Sequence, residues 1–177
     1  NILLEKKLLF IDSMKGAKFD LIETGGGAAS STVISPTLHE EFCLPYDRKL
    51  HDALHSLGFP ITYHTCGGTL GIEEHIIDNG CDASETLAPI SIGGNQEPWD
   101  YKKKTGNRVA LIGGVDQFNV LTNGTPELIR NTVHRLFEEV GQARMEATSA
   151  HSPTISSILR LKILRLTRTP RRNAFTE

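Results

Sequence analysis

Chemistry in this 177-residue chain concentrates where imidazoles, thiols and carboxylates stand beside turn residues. The sharpest local feature is His64-Thr65-Cys66, followed at once by Gly67-Gly68. Side chains two residues apart on a strand share a face, so at a strand end this imidazole and thiol converge on one point beyond the sheet. Together they form a borderline-soft donor pair that selects zinc, and two ligands require a third from elsewhere. The same residues also suit a core, as a buried His beside a small buried thiol, and spacing alone does not separate the two readings. Glu23 stands just before Gly25-Gly26-Gly27, and both Glu23 and Glu85 fall at predicted strand ends. A carboxylate in such a place serves as acid, base or ligand, or as a hydrogen-bonded rim residue. Asp116 follows Gly113-Gly114 and either caps the next segment or lines a pocket. His64 and Cys66 are thus the candidate metal ligands, and Glu23, Glu85 and Asp116 the candidate catalytic residues. Cys81 is expected in the core and Cys43 in a structural helix position. His39, His51, His55, His75 and His134 fall on predicted helices as exposed polar residues. The glycine runs match neither G-x-G-x-x-G nor a P-loop, so no nucleotide-binding residue is assigned.

The elements that must position these groups alternate between strand and helix patterns. Residues 2–15 carry Ile2, Leu3, Leu4, Leu8, Leu9 and Ile11 among Glu and Lys and predict a helix. Phe19 to Glu23 predicts a short buried strand. Thr37 begins a long helix, with Glu40 as its capping-box partner, an apolar stripe of Leu38, Phe42, Tyr46, Leu50, Leu54 and Leu57, a kink at Pro45 and a stop at Gly58. Ile61–His64 is a second strand and 71–78 a short helix with Ile72, Ile76 and Ile77 inward. Cys81–Leu87 is a third strand, 97–104 a helical turn and Val109–Ile112 a fourth strand. Thr125-Pro126-Glu127 opens a helix running to about Val140, with Leu128, Ile129, Leu136 and Phe137 on one face. Strands alternating with helices form parallel βα units. Such folds carry their chemistry at the C-terminal strand ends, where Glu23, His64, Glu85 and Asp116 fall.

Composition narrows the class. The length of 177 residues suits one domain, and the 38% apolar content is a little low for a fully packed globule but well above that of a disordered chain. No run approaches the roughly 20 apolar residues of a membrane span, and no signal peptide leads the chain, so a cytoplasmic protein is expected. Three cysteines do not form a disulfide framework. The charge is uneven: residues 143–177 carry seven basic side chains against Glu146 and Glu177, whereas residues 1–142 carry twelve against nineteen acidic ones. Taken literally, the basic tail suggests nucleic acid or anionic lipid.

Residues 20–142 resemble the uroporphyrinogen decarboxylase family in four ordered blocks: FDLIETGGG, SPTLHEEFCLPYDRKLHDALHSLG, YHTCGGTLGIEEHIIDNGCDASETLAP and LIGGVDQFNVLTNGTPELIRNTVHRLFEEVG. The resemblance implies the C-terminal half of a (β/α)8 barrel, the four strands matching its fourth to seventh. It implies two activities. One is cofactor-free decarboxylation of the acetate side chains of uroporphyrinogen III, in heme biosynthesis. The other is methyl transfer between a corrinoid and a thiol, with zinc activating the thiol. The methyltransferase branch is similar at His64 and Cys66, its H-x-C zinc ligands; its third ligand is a Cys of the eighth strand. The decarboxylase uses an Arg-rich segment and an early Asp, which would both lie before Asn1. The implied partners are a small-molecule or tetrapyrrole substrate, or a corrinoid protein, with a homo-oligomer possible and neither nucleic acid nor membrane required.

The family continues past 142 with an eighth strand and a final helix, which residues 143–177 do not resemble. Back-translated and shifted by one frame, the tail permits GGYI, SDHFF, PENL, AYADAA and ECVY in order, similar to the family's C-terminus. The expectation is a partial barrel over 1–142 and a frame-changed tail over 143–177 that is not a domain.

Overall fold

The computed structural model describes residues 2–141, within a compact unit of Asn1–Glu146; the expectation for 143–177 lies outside the described residues. Four strands form one parallel sheet in the order β1 (Ile22–Gly25), β2 (Ile61–His64), β3 (Ala83–Glu85) and β4 (Ala110–Ile112). The helices are α1 (Ile2–Asp12), α2 (Pro36–Phe42), α3 (Leu44–Ser56), α4 (Glu73–Asp78), α5 (Pro98–Thr105) and α6 (Pro126–Glu139). Sequence neighbours pair in parallel throughout, as expected when each strand returns through a helix crossover.

The core lies between one sheet face and the helices. Ile61 and Tyr63 of β2 are wholly buried there, with Leu54 of α3, Ile72 and Ile76 around α4, and Tyr101 of α5. Each such aliphatic side chain contributes about 1.5–3 kcal/mol by leaving water. Tyr63 also donates its hydroxyl to Asp47 Oδ2 at 2.8 Å, so its polar tip is satisfied inside the layer. Burial raises both the Tyr63 phenol and the Asp47 carboxyl above their ordinary values. Gly26 is required by this packing: a β-carbon there would come within 2.3 Å of the Tyr63 ring.

Several expectations are corrected. The single helix from Thr37 is two helices, broken at Cys43. Its N-cap is Ser35, whose Oγ accepts from the Leu38 N–H, with Pro36 in the first turn. Pro45 opens α3, because a ring without N–H suits a first turn better than a helix interior. Only the second half of the predicted stripe is core: Leu50 and Leu54 are buried, whereas Leu38, Phe42 and Tyr46 are exposed. The first strand starts at Ile22, and Phe19 and Leu21 are exposed. The apolar face of α6 has no buried residue. His39 and His51 are buried, not exposed. Among the described residues, no helix is long and apolar enough to cross a membrane.

The two buried histidines differ in support. His51 Nδ1 lies 2.8 Å from the Asn79 carbonyl, so it carries the proton, and Nε2 accepts from Thr24 Oγ1 at 2.9 Å. His39 stacks on His75 with ring centroids 5.3 Å apart, and among the described residues neither of its nitrogens has a hydrogen-bond partner. Burial, with His75 adding to it, lowers its pKa from 6.5 to about 4. As the pH drops, the unfolded state therefore binds a proton that the folded state refuses. The stability from neutral His39 is full above 6.5 and is lost between 6.5 and about 4, at ~1.4 kcal/mol per pH unit. We expect the denaturant midpoint to fall between pH 7.5 and pH 5 and His39→Phe to flatten that dependence. Equal pH slopes for the two proteins would contradict it.

Candidate metal centre

Strand register builds the site. Gly25, His64, Glu85 and Ile112 lie abreast at the C-terminal ends of the four strands. Because strand side chains alternate, the turn that sends Ile61 and Tyr63 to the helices sends Thr62 and His64 to the opposite face. His64 is flanked there by Gly25 on one side and by Glu85 on the other. Its Nδ1 lies 2.6 Å from Glu85 Oε1, 3.1 Å from Thr86 Oγ1 and 3.7 Å from Glu23 Oε1. A carboxylate accepts only, so Nδ1 carries the proton and Nε2 keeps its lone pair. Nε2 faces Cys66 Sγ at 2.6 Å. The imidazole and the thiol therefore converge, as the H-x-C spacing predicts.

Cys66 sits on an exposed turn held by three loops. The Ser31 N–H donates to the Gly68 carbonyl at 2.9 Å, and the Gly68 N–H donates to Thr32 Oγ1 at 3.2 Å. Asn95, from the loop after β3, accepts from the N–H groups of Thr69 and Leu70 and donates to Ser31 Oγ, each at 2.9 Å. One amide thus ties together the loops that follow β1, β2 and β3. Gly27 brings the first loop against the pair: a β-carbon on it would lie 3.8 Å from Cys66 Sγ and 3.9 Å from His64 Cδ2.

Two donor sets share the His64 ring. On one side Nε2 meets Cys66 Sγ. On the other, Glu23, His64 and Glu85 present ligand atoms within 4.8 Å of one another, with Glu23 exposed and the other two half-buried. Imidazole, thiol and carboxylate are the donor types that zinc takes. Donors at a tetrahedral zinc stand roughly 3.5 Å apart, so the 2.6 Å thiol–imidazole contact opens by about 1 Å to admit the ion. A carboxylate on the distal nitrogen of a ligating His fixes its tautomer and orientation, the part that Glu85 is placed to play. The residues fit zinc.

Asp116 does not join this cluster. It is 4% exposed and caps the π-helical turn Gln117–Thr122, where its Oδ1 accepts from the N–H groups of Phe118 and Asn119. Its Oδ2 accepts from Ser91 Oγ at 2.5 Å and Asn119 Nδ2 at 2.7 Å. Burial opposes the charge, but these hydrogen bonds outweigh it and lower the pKa to about 2. Of the two sequence alternatives, capping is the one its contacts fill. Cys81 is in the core as expected; burial pushes its thiol up to about 12. Cys43 is half-buried, and burial, then Asp47, raises its thiol too. An apolar groove of about 580 Å³, bordered by Ile2, Leu3, Phe42 and Cys43, lies against α1 and contains none of the centre's residues.

Residues 13–151 match the uroporphyrinogen decarboxylase (URO-D) family. The chain belongs to that family, and its four parallel βα units are part of the family's (β/α)8 fold. The match runs past residue 142, where the frame change was expected to begin.

Particular relatives divide between two activities. The chain is 30% identical over 105 residues to the methylated-thiol–coenzyme M methyltransferase of Methanosarcina mazei, covering 59% of this chain and 26% of that protein. It is 35% identical over 113 residues to the uroporphyrinogen decarboxylase of Pseudoalteromonas translucida, covering 62% and 29%. A solved methyltransferase from Methanosarcina mazei superposes with a TM-score of 0.63 at 21% identity, over 77% of this chain and 38% of that one. The alignments span about a quarter to a third of the length of these curated relatives.

A capping Asp116 and a catalytic one predict different outcomes. We expect Asp116→Ala to speed amide hydrogen exchange at Phe118 and Asn119 and to leave zinc affinity within about twofold. A large loss of zinc with unchanged exchange would place Asp116 in the centre.

Proposed function

We propose that this chain carries part of the catalytic face of a zinc-dependent methyltransferase that moves a methyl group between a corrinoid and a thiol. The observation that supports it most is the convergence of His64 Nε2 on Cys66 Sγ, with Glu85 on the opposite ring nitrogen. His64 and Cys66 hold the metal, and a further ligand comes from outside this pair. Bound zinc supplies Lewis acidity that favours the thiolate form of an incoming thiol at neutral pH.

The chain's own residues do the positioning. Glu85 accepts from the Nδ1–H of His64, which directs the Nε2 lone pair outward to the metal. The Asn95 tie holds the turn on which Cys66 stands, so little backbone motion is needed when the ion enters. Glu23, with 61% of its side chain exposed, stands 3.7 Å from His64 Nδ1, on the side of the ring away from Cys66, where it is placed to act as a proton acceptor. The substrate thiol, the methyl donor and a corrinoid partner approach from the strand-end face, where the family's chemistry is expected.

The second reading, decarboxylation of a uroporphyrinogen without a metal, draws on the 35% identity to the Pseudoalteromonas translucida decarboxylase. It gives Cys66 no part in the chemistry. The two readings separate on metal content. His64→Ala and Cys66→Ser, each made in the full-length protein, are expected to lower zinc affinity by at least tenfold with the fold retained by circular dichroism. Zinc content unchanged in both variants would remove the methyltransferase reading and leave the decarboxylase.

A further inference from the structure

Thr86 has a backbone conformation that its side chain opposes. Its φ is +61°, and among the described residues it is the only non-glycine with a positive φ. For a β-branched residue the left-handed region is a steric outlier, and such strain persists only where the surrounding structure enforces it. The surroundings here do so. Leu87 next to it is buried in the core cluster, and the Thr86 carbonyl accepts from the Ala88 N–H at 2.7 Å. Across the sheet, the turn after β4 presses on the same segment: a β-carbon on Gly113 would stand 3.0 Å from the Leu87 nitrogen and 3.5 Å from Thr86 Cα. A glycine would make this reversal without strain.

What threonine adds is a hydroxyl, and the strained turn carries that hydroxyl to the metal centre. Oγ1 lies 3.1 Å from His64 Nδ1, the nitrogen that also meets Glu85 at 2.6 Å. We propose that Thr86 is a positioning residue whose hydroxyl serves as a second acceptor at His64 Nδ1, locking the ring with its proton there and its Nε2 lone pair at Cys66. Its consequence for metal binding rests on the zinc reading above; its effect on the imidazole does not. A single acceptor on Nδ1 still lets the ring rock about its Cβ–Cγ bond. Two acceptors, from consecutive residues at one strand end, fix the ring plane as well as the tautomer.

The experiment compares the full chain with Thr86→Gly and Thr86→Ser by three readouts. These are denaturant midpoint, His64 tautomer populations from long-range ¹H–¹⁵N spectra of the metal-free protein, and zinc affinity. Thr86→Gly is expected to raise or preserve the midpoint, because strain is relieved, while admitting a minor Nε2–H population of His64 that Glu85 alone then opposes, and weakening zinc about tenfold. Thr86→Ser is expected to restore the single tautomer and the affinity. A purely structural turn residue would show at most a midpoint change for glycine, with the spectrum of His64 untouched. That result, or a serine variant that behaves like glycine in the spectrum, overturns the proposal. If the unsubstituted full-length protein binds no zinc, the methyltransferase reading fails alone and the tautomer spectra still decide the role of Thr86.

Discussion

The site depends on the 2.6 Å hydrogen bond between His64 Nδ1 and Glu85 Oε1. It spans two parallel strands, so it exists only while β2 and β3 keep the register that sets these residues opposite each other. A slip of one residue would turn His64 toward the helices and bring Tyr63 onto the open face. That slip is opposed by what the other strand face buries. Ile61 and Tyr63 are wholly enclosed, Tyr63 is anchored to Asp47, and the Gly26 backbone closes over its ring. Apolar packing on one side of β2 thereby sets the ligand geometry on the other.

A second layer of support comes from the loops. Asn95 spends its side-chain amide on the segments after β1 and β2, and Glu73 does similar work lower down. The Glu73 carboxylate is buried and accepts from the Gly71 N–H, Gln96 and Lys104. Hydrogen bonds from Lys104 and Gln96, set against burial, keep its pKa below the ordinary value, which preserves the charge that these donors need. The polar groups of the rim are therefore mostly committed to one another, while Cys66 and Glu23 remain exposed. This division suits a centre whose ligands must be accessible and whose frame must not move.

Much of this was legible in the sequence where a local pattern coincided with a local cause. β2 was read with its observed bounds because an apolar run stops at polar residues and glycines. Thr125-Pro126 marked the start of α6 because its capping geometry is local. The two-residue spacing at a strand end pointed to the convergence of His64 and Cys66, although Cys66 lies beyond β2 on a turn that the loops hold. Misreadings arose where distant packing decides. His39 looks polar on a helix, and only the arrival of α4 with His75 buries it. The Leu38–Tyr46 stripe has helical spacing, but the break at Cys43 separates Leu38 and Phe42 from Leu50 and Leu54, and Tyr46, within α3, is exposed. Asn95 and Thr86 carried no signal: an Asn in a Gly-rich loop and a Thr after a strand are common, and their roles exist only once three strand ends lie side by side. Asp116 was correctly placed beside a turn, but its role depended on Ser91 and Asn119 closing around it.

The two donor sets on His64 make incompatible forecasts for what lies next to a bound metal. Zinc K-edge X-ray absorption on the zinc-loaded protein separates them most directly. The expected result is a sulfur shell at about 2.3 Å together with an imidazole nitrogen at about 2.0–2.1 Å. A first shell of oxygen and nitrogen only would contradict it, because the ion would then sit among Glu23, Nδ1 and Glu85, and Cys66 would have no part in holding it.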